Sequence, residues 1–139
     1  MTKKEILALE NEALRIKAGK LFGRDIETEV RDEDELTKRL SEFPGVSISP
    51  TWDPANDIGV AMTDLFESVY GRGGKIKGGA WVLGTVDGGR DVASATLLWK
   101  AKSGQKHRAN KVTVIRPRGE MAKAITQCWV CAMLGVSDD

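Results

Sequence analysis

Apolar residues recur along this chain with two different periods, and the change of period separates helical from extended parts. Near the start, Ile6, Leu9, Ala13 and Ile16, with Leu7, Leu14 and Leu21 beside them, give residues 2–23 a broad apolar face at helical spacing. Thr2 followed by Glu5 is a capping-box pattern that starts this helix, and Gly23, able to take the left-handed position past a helix end, stops it. Ile26, Thr28 and Val30 then alternate with Glu27 and Glu29, as in a short extended segment with one wet face. Residues 32–43 predict a second, very acidic helix, anchored by Leu36, Leu40 and Phe43 and ended by Pro44-Gly45; its charge reads as a solvated face. A third helix starts with Asp53 as N-cap and Pro54 in the first turn, or one turn later at Asn56. Its stripe is Ile58, Met62, Leu65 and Val69, flanked by Ala61 and Phe66, and it closes at Gly71.

Beyond Gly71 the period falls to two. Residues 75–85, 92–102 and 110–115 predict three strands, the first two joined by a hairpin turn at Asp87-Gly88-Gly89-Arg90-Asp91. With Asp87 opposite Asp91, one side of the hairpin carries Trp81, Leu83, Ala95, Leu97 and Trp99, and the other Ala80, Val82, Val86, Val92 and Leu98. Both sides are substantially apolar, so the sheet calls for helices on both. The last helix, residues 120–134, carries Met121, Ile125, Cys128, Trp129 and Ala132 at helical spacing. The pattern predicts one domain, residues 1–139, of the α/β (α+β) class: a layered helix–antiparallel sheet–helix sandwich with helices 57–70 and 120–134 packed on the sheet.

A length of 139 residues suffices for one such core without disulfides or metals. No apolar run approaches a membrane span, and the start leads into an amphipathic helix instead of a secretory signal, so the expectation is a cytoplasmic protein with no membrane partner. Charge changes the picture more. Residues 1–67 hold 9 basic and 15 acidic side chains, whereas residues 68–139 hold 12 basic and 5 acidic. Between Val92 and Gly119 stand Lys100, Lys102, Lys106, Arg108, Lys111, Arg116 and Arg118 with no Asp or Glu. Such a stretch expects an anion, and two halves of opposite charge invite self-association into a homo-oligomer.

Several chemistries are excluded by spacing. The glycines of residues 71–79 do not make a Walker loop, because Val69 and Ile76 stand where that loop needs Gly and Ser or Thr. Cys128 and Cys131 lie late in a helix on its apolar side, away from the helix N-terminus that activates redox pairs. His107 is the single histidine, so a structural zinc site cannot be completed within the chain, and a Ser–His–acid triad would have to use His107, which lies in a Lys/Arg-rich turn with no orienting carboxylate nearby in sequence. The expectation is a protein that is not an enzyme and has no cofactor or metal.

What remains is Arg116-Pro117-Arg118-Gly119-Glu120, where a strand ends and a helix begins. Free backbone N–H groups and the positive end of a helix dipole coincide there with two guanidiniums able to fork a phosphate. Arg108, Lys111 and, across the hairpin, Arg90 add charge. The competing reading is scattered surface arginines paired with the acidic N-terminal helices. Trp52, flanked by Thr51 and Asp53, is the tryptophan best placed to stack on a base, or else a staple closing the start of its helix.

The order of elements adds a resemblance. The helix ending Leu21-Phe22-Gly23, the segment Asn56-Asp57-Ile58-Gly59-Val60-Ala61-Met62, the strands that follow with Trp81, and the helix 120–134 together resemble the phage ABA-sandwich domain family. That family shows a Ser/Thr-Asp-Ile-x-x-Ala-Trp helix start and a closing helix with Ile-Cys-Arg-Ala; here Met62 replaces the aromatic and Ile125-Thr126-Gln127 stands in place of Ile-Cys-Arg. The resemblance implies a phage protein related to anti-defence proteins that sequester the cyclic ADP-ribose-type signal of the Thoeris system, some of which trap cyclic oligonucleotides as oligomers. Its transfer predicts a non-catalytic sponge for a small phosphorylated nucleotide in the host cytoplasm. A nucleic-acid-binding module or a protein–protein adaptor using the basic half is the alternative.

Overall fold

The alternation beyond Gly71 forms a hairpin of β1 (Ala80–Asp87) and β2 (Arg90–Lys100), joined antiparallel by β3 (Ala109–Pro117) in the order β1-β2-β3. The computed structural model describes residues 1–24, 52–70, 76, 78–100 and 109–138, and the predicted acidic helix 32–43 lies outside them. The turn is tighter than the sequence suggests. Asp87 pairs with Arg90, leaving a two-residue loop of Gly88 (φ 57°) and Gly89 (φ 80°), both left-handed as a type I′ turn requires. That turn alone would set the strands one residue away from the pairing the apolar pattern wants. A bulge between Gly84 and Val86 absorbs the slip, and beyond it Leu83 pairs with Ala95 and Trp81 with Leu97, the faces expected from sequence.

One face of the sheet, built from Trp81, Ala95, Leu97, Trp99, Val112 and Val114, is buried under α4 (Met121–Met133). The chain is therefore an α+β domain with helices packed on an antiparallel sheet. Among the described residues the other face carries no helix, and Val82 and Ile115 on it are 58% and 51% exposed.

The stripe predicted for α4 understates its burial. Every residue from Ala124 to Ala132 is buried, including Thr126 and Gln127, because α4 runs through the middle of the molecule. Its neighbours account for each side. Cys128 donates to the Val112 carbonyl on β3 at 3.3 Å, Gln127 donates to the Leu7 carbonyl at 3.4 Å, and Trp129 donates through Nε1 to Ser68 Oγ at 2.8 Å. Thr126 satisfies its hydroxyl on the Ala122 carbonyl of its own helix. At the far end Gly135 (φ 72°) closes the helix in a Schellman motif, with Val136 N–H bonded to Cys131 O and Gly135 N–H to Ala132 O.

The first predicted helix is two. The capping box forms as expected, with Thr2 Oγ1 accepting from Glu5 N–H and Glu5 Oε1 from Thr2 N–H, but the first helix, α1 (Lys3–Leu7), is short and α2 (Asn11–Phe22) restarts after an extended Glu10. The Leu7 carbonyl that a continuous helix would bond locally instead receives Gln127 from α4, an exchange invisible to local periodicity. α2 ends at Gly23 (φ 99°), the position predicted.

Of the two starts the sequence offers for the third helix, the structure takes a point beside the later one: Asp57, one residue past Asn56, is the N-cap in place of Asp53, accepting from Gly59 and Val60 N–H. The helical stretch α3 opens with the turn Ile58–Val60, widens into a π-helix over Ala61–Phe66 and tightens into a 3₁₀ turn over Glu67–Val69. The wide turns move the buried stripe to Ala61, Leu65 and Val69 and leave Ile58 49% exposed.

Candidate anion site at the β3–α4 junction

Strand β3 leads into α4 through a tight turn, in which Glu120 N–H bonds to the Pro117 carbonyl at 3.1 Å and Gly119 supplies the left-handed residue (φ 93°). The turn leaves no slack, so side chains at the strand end stay close to the first turn of the helix. Arg116 pairs in register with buried Ala93, on the same side of β3 as Val112 and Val114, and so points toward the helix layer. Its Nη2 bonds to Glu120 Oε1 at 2.8 Å, while its Nε is buried with no hydrogen-bond partner. The Arg116 guanidinium beside Glu120 holds that carboxyl below its ordinary value.

Glu120 is the N-terminal flanking residue of α4, yet its side chain makes no capping bond to the helix N–H groups. Those donors are left to solvent or to a ligand. Arg118 lies just past the strand, 3.3 Å from Asp91, with side-chain exposures of 80% and 66% that leave the pair screened and weak. Both arginines thus have carboxylate partners, but from their own half of the chain: Glu120 from the helix start and Asp91 from the hairpin. Asp91 was legible as a counter-charge from its place beside the turn, opposite the end of β3.

The other predicted residues are not all brought here. Arg90, exposed on the hairpin next to Asp91, stands at the same end of the sheet. Lys111 does not. It pairs with Leu98 on the opposite face from Val112, five residues from Arg116, or roughly 17 Å along an extended strand. Arg108 lies outside the described residues.

Trp52 belongs to the core, at 6% exposure. Its ring stacks on Phe22 with centroids 5.6 Å apart, its Nε1 donates to Asp64 at 2.6 Å, and the Arg24 guanidinium lies 5.3 Å from its centroid. Its carbonyl accepts from Arg15 Nε at 2.8 Å. These contacts give Trp52 the stapling role and withdraw it from base stacking: no face is left for a base.

The cysteines behave as core residues. Burial pushes the Cys131 thiol up to about 11 and Cys128 higher still, far from the activated range of redox thiols. Among the described residues no cluster of three or more His, Cys, Asp or Glu side chains could hold a metal, and no helix is long and apolar enough to cross a membrane.

Sequence reasoning did not anticipate an open groove of about 560 Å³ lined by Met62, Thr63, Phe66, Glu67 and Tyr70. It follows the π-helical stretch, whose widened turns carry no signature in the residue pattern. No protein-family model, curated protein or solved structure matches this chain.

Proposed function

We propose that this chain is a non-catalytic, homo-oligomeric binding protein that takes up a small phosphorylated nucleotide at the β3–α4 junction. The observation that carries this reading is the convergence of Arg116, whose buried Nε lacks a partner, with the side-chain-uncapped N-terminus of a 13-residue helix. Binding is an exchange. A phosphate dianion takes the place of Glu120 on Arg116 and of Asp91 on Arg118, and gains the free N–H groups of α4 that neither carboxylate uses. The resemblance to the phage ABA-sandwich family supplies the finer expectation: sequestration in the host cytoplasm of a cyclic ADP-ribose-type or cyclic oligonucleotide immune messenger, serving anti-defence.

A long nucleic acid is favoured less, because Lys111 and the Arg116–Arg118 pair occupy different faces and ends of the sheet instead of one continuous track. Native mass spectrometry of the protein purified from cells with an active nucleotide-signalling defence tests the class, with a co-purifying nucleotide as the expected result. Calorimetric titration of that nucleotide against Arg116→Ala and Arg118→Ala tests the site. The expected loss is roughly 10- to 150-fold in affinity for each charge-assisted contact removed. Unchanged affinity in both folded variants places the ligand elsewhere.

A further inference from the structure

We propose that the groove beside the π-helical stretch of α3 is a site for a small alkylated ammonium compound, with the Phe66 and Tyr70 rings as its walls and Glu67 as its counter-charge. It uses none of the residues of the β3–α4 junction, so it does not rest on the anion reading. The rings are held from behind. Phe66 stacks on Trp81 with centroids 5.5 Å apart and planes 17° from parallel, and Trp81 Nε1 donates to the Phe66 carbonyl at 3.0 Å. Tyr70 is tilted 52° to Phe66 at 5.5 Å, and its hydroxyl accepts from Trp81 N–H at 3.1 Å, which ties the ring to the start of β1. Tyr70 nevertheless stays 45% exposed. Two rings inclined to each other, braced and open to water, present electron-rich faces to a cation. Wide helical turns of this kind are frequent at functional sites.

Charge around the groove has one sign. Between Trp52 and Gly71 stand Asp53, Asp57, Asp64 and Glu67 with no Lys or Arg, the reverse of the basic run from Val92 to Gly119. Three of these carboxylates are committed: Asp53 accepts from Asn56, Asp57 caps α3 and Asp64 accepts from Trp52. Glu67 lines the groove, and its carboxylate makes no ion pair or hydrogen bond among the described residues. None of the groove's lining residues is basic.

The polar groups left in the groove select the kind of cation. Thr63 already donates its hydroxyl to the Gly59 carbonyl at 2.8 Å, and Glu67 is the one charged acceptor on the wall. A guanidinium or primary ammonium brings several N–H donors whose hydration one carboxylate cannot replace. A trimethylammonium head brings none, and it packs on Met62 and the rings by dispersion and cation–π attraction. The occupant is a small molecule because about 560 Å³ falls in the range of small-ligand sites, whereas five lining residues within 62–70 are too few for a protein interface.

The test is NMR titration of the full chain with choline and with its neutral isostere 3,3-dimethylbutan-1-ol, followed at the Trp81 indole N–H that lies behind the groove. The expected result is a saturable shift with choline, with a Kd on the order of 1 mM. Binding is expected to be at least about fivefold weaker in Glu67→Gln, in Tyr70→Leu and for the alcohol. Glu67 is exposed, so Glu67→Gln decides should Tyr70→Leu fail to fold. No saturable choline shift, equal binding of choline and the alcohol, or a choline affinity unchanged in Glu67→Gln overturns the proposal. A short peptide centred on trimethyllysine that binds more than about tenfold tighter than choline overturns the small-molecule assignment in favour of a protein ligand.

Discussion

Arg116 and Glu120 stand four residues apart across a strand-to-helix turn, and their 2.8 Å contact makes the helix start its own counter-ion. The carboxylate that neutralises Arg116 is also the group an incoming phosphate has to displace. Glu120→Gln is therefore expected to bind inorganic phosphate more tightly than wild type, by several-fold, as read by phosphorus NMR or calorimetry. Weaker binding in Glu120→Gln shows that the carboxylate orients Arg116 for its ligand instead of competing for it.

The same contact sets a pH dependence. Because Arg116 holds Glu120 below its ordinary value of 4.5, the pair contributes stability above the unfolded-state value and loses it as pH falls through the lower folded-state value. Urea midpoints of wild type and Glu120→Gln are expected to converge as the pH drops below the carboxylate range. A gap that persists or widens there contradicts the assignment.

Trp52 is expected to matter for stability and not for ligand. Trp52→Phe keeps the stack on Phe22 but deletes the 2.6 Å bond to Asp64, at a cost of about 1–3 kcal/mol in chemical denaturation. Trp52→Ala removes the ring as well, for about 3–5 kcal/mol. Nucleotide affinity in Trp52→Phe stays at the wild-type level; a large loss restores Trp52 as a binding residue.

The glycines separate two kinds of cost. Gly88 has open space around it but a left-handed backbone, so Gly88→Asn is expected to be nearly neutral while Gly88→Val costs about 1–2 kcal/mol. At Gly79 a Cβ would stand 2.7 Å from the Val69 Cβ, so Gly79→Ala forces strand and helix apart. Thermal denaturation of the three variants checks the order, with Gly79→Ala less stable than Gly88→Asn.

Cys131, with its thiol at about 11, is expected to react with a thiol reagent at pH 8 at a rate limited by a thiolate fraction of about one in a thousand. The measurement is the alkylation rate before and after adding denaturant. Fast labelling of the native protein is incompatible with core thiols.

Alternation and turn chemistry were enough to place the hairpin, its apolar faces and the end of α2 at Gly23, because each depends on neighbours in sequence. The bulge was not legible. It arises from a conflict between two local preferences: Gly88-Gly89 demands a two-residue turn, and the pattern of Trp81, Leu83, Ala95 and Leu97 demands a register one residue away. Only strand pairing reveals that both are met.

Tertiary contact decided the rest. The break after Leu7 leaves its carbonyl to Gln127, a residue 120 positions away, and the all-round burial of α4 depends on its lying between the sheet and α1–α2. Trp52 shows the limit most plainly, since a tryptophan before a helix has the same local pattern whether it faces solvent or core. Arg116 and Arg118 could be named from the charge run and the strand-to-helix boundary. Their distance from Lys111 and their pairing with Glu120 and Asp91 followed from register and turn geometry, which set where a charge sits relative to others. Sequence supplies the sign of each charge, and the fold supplies its neighbours.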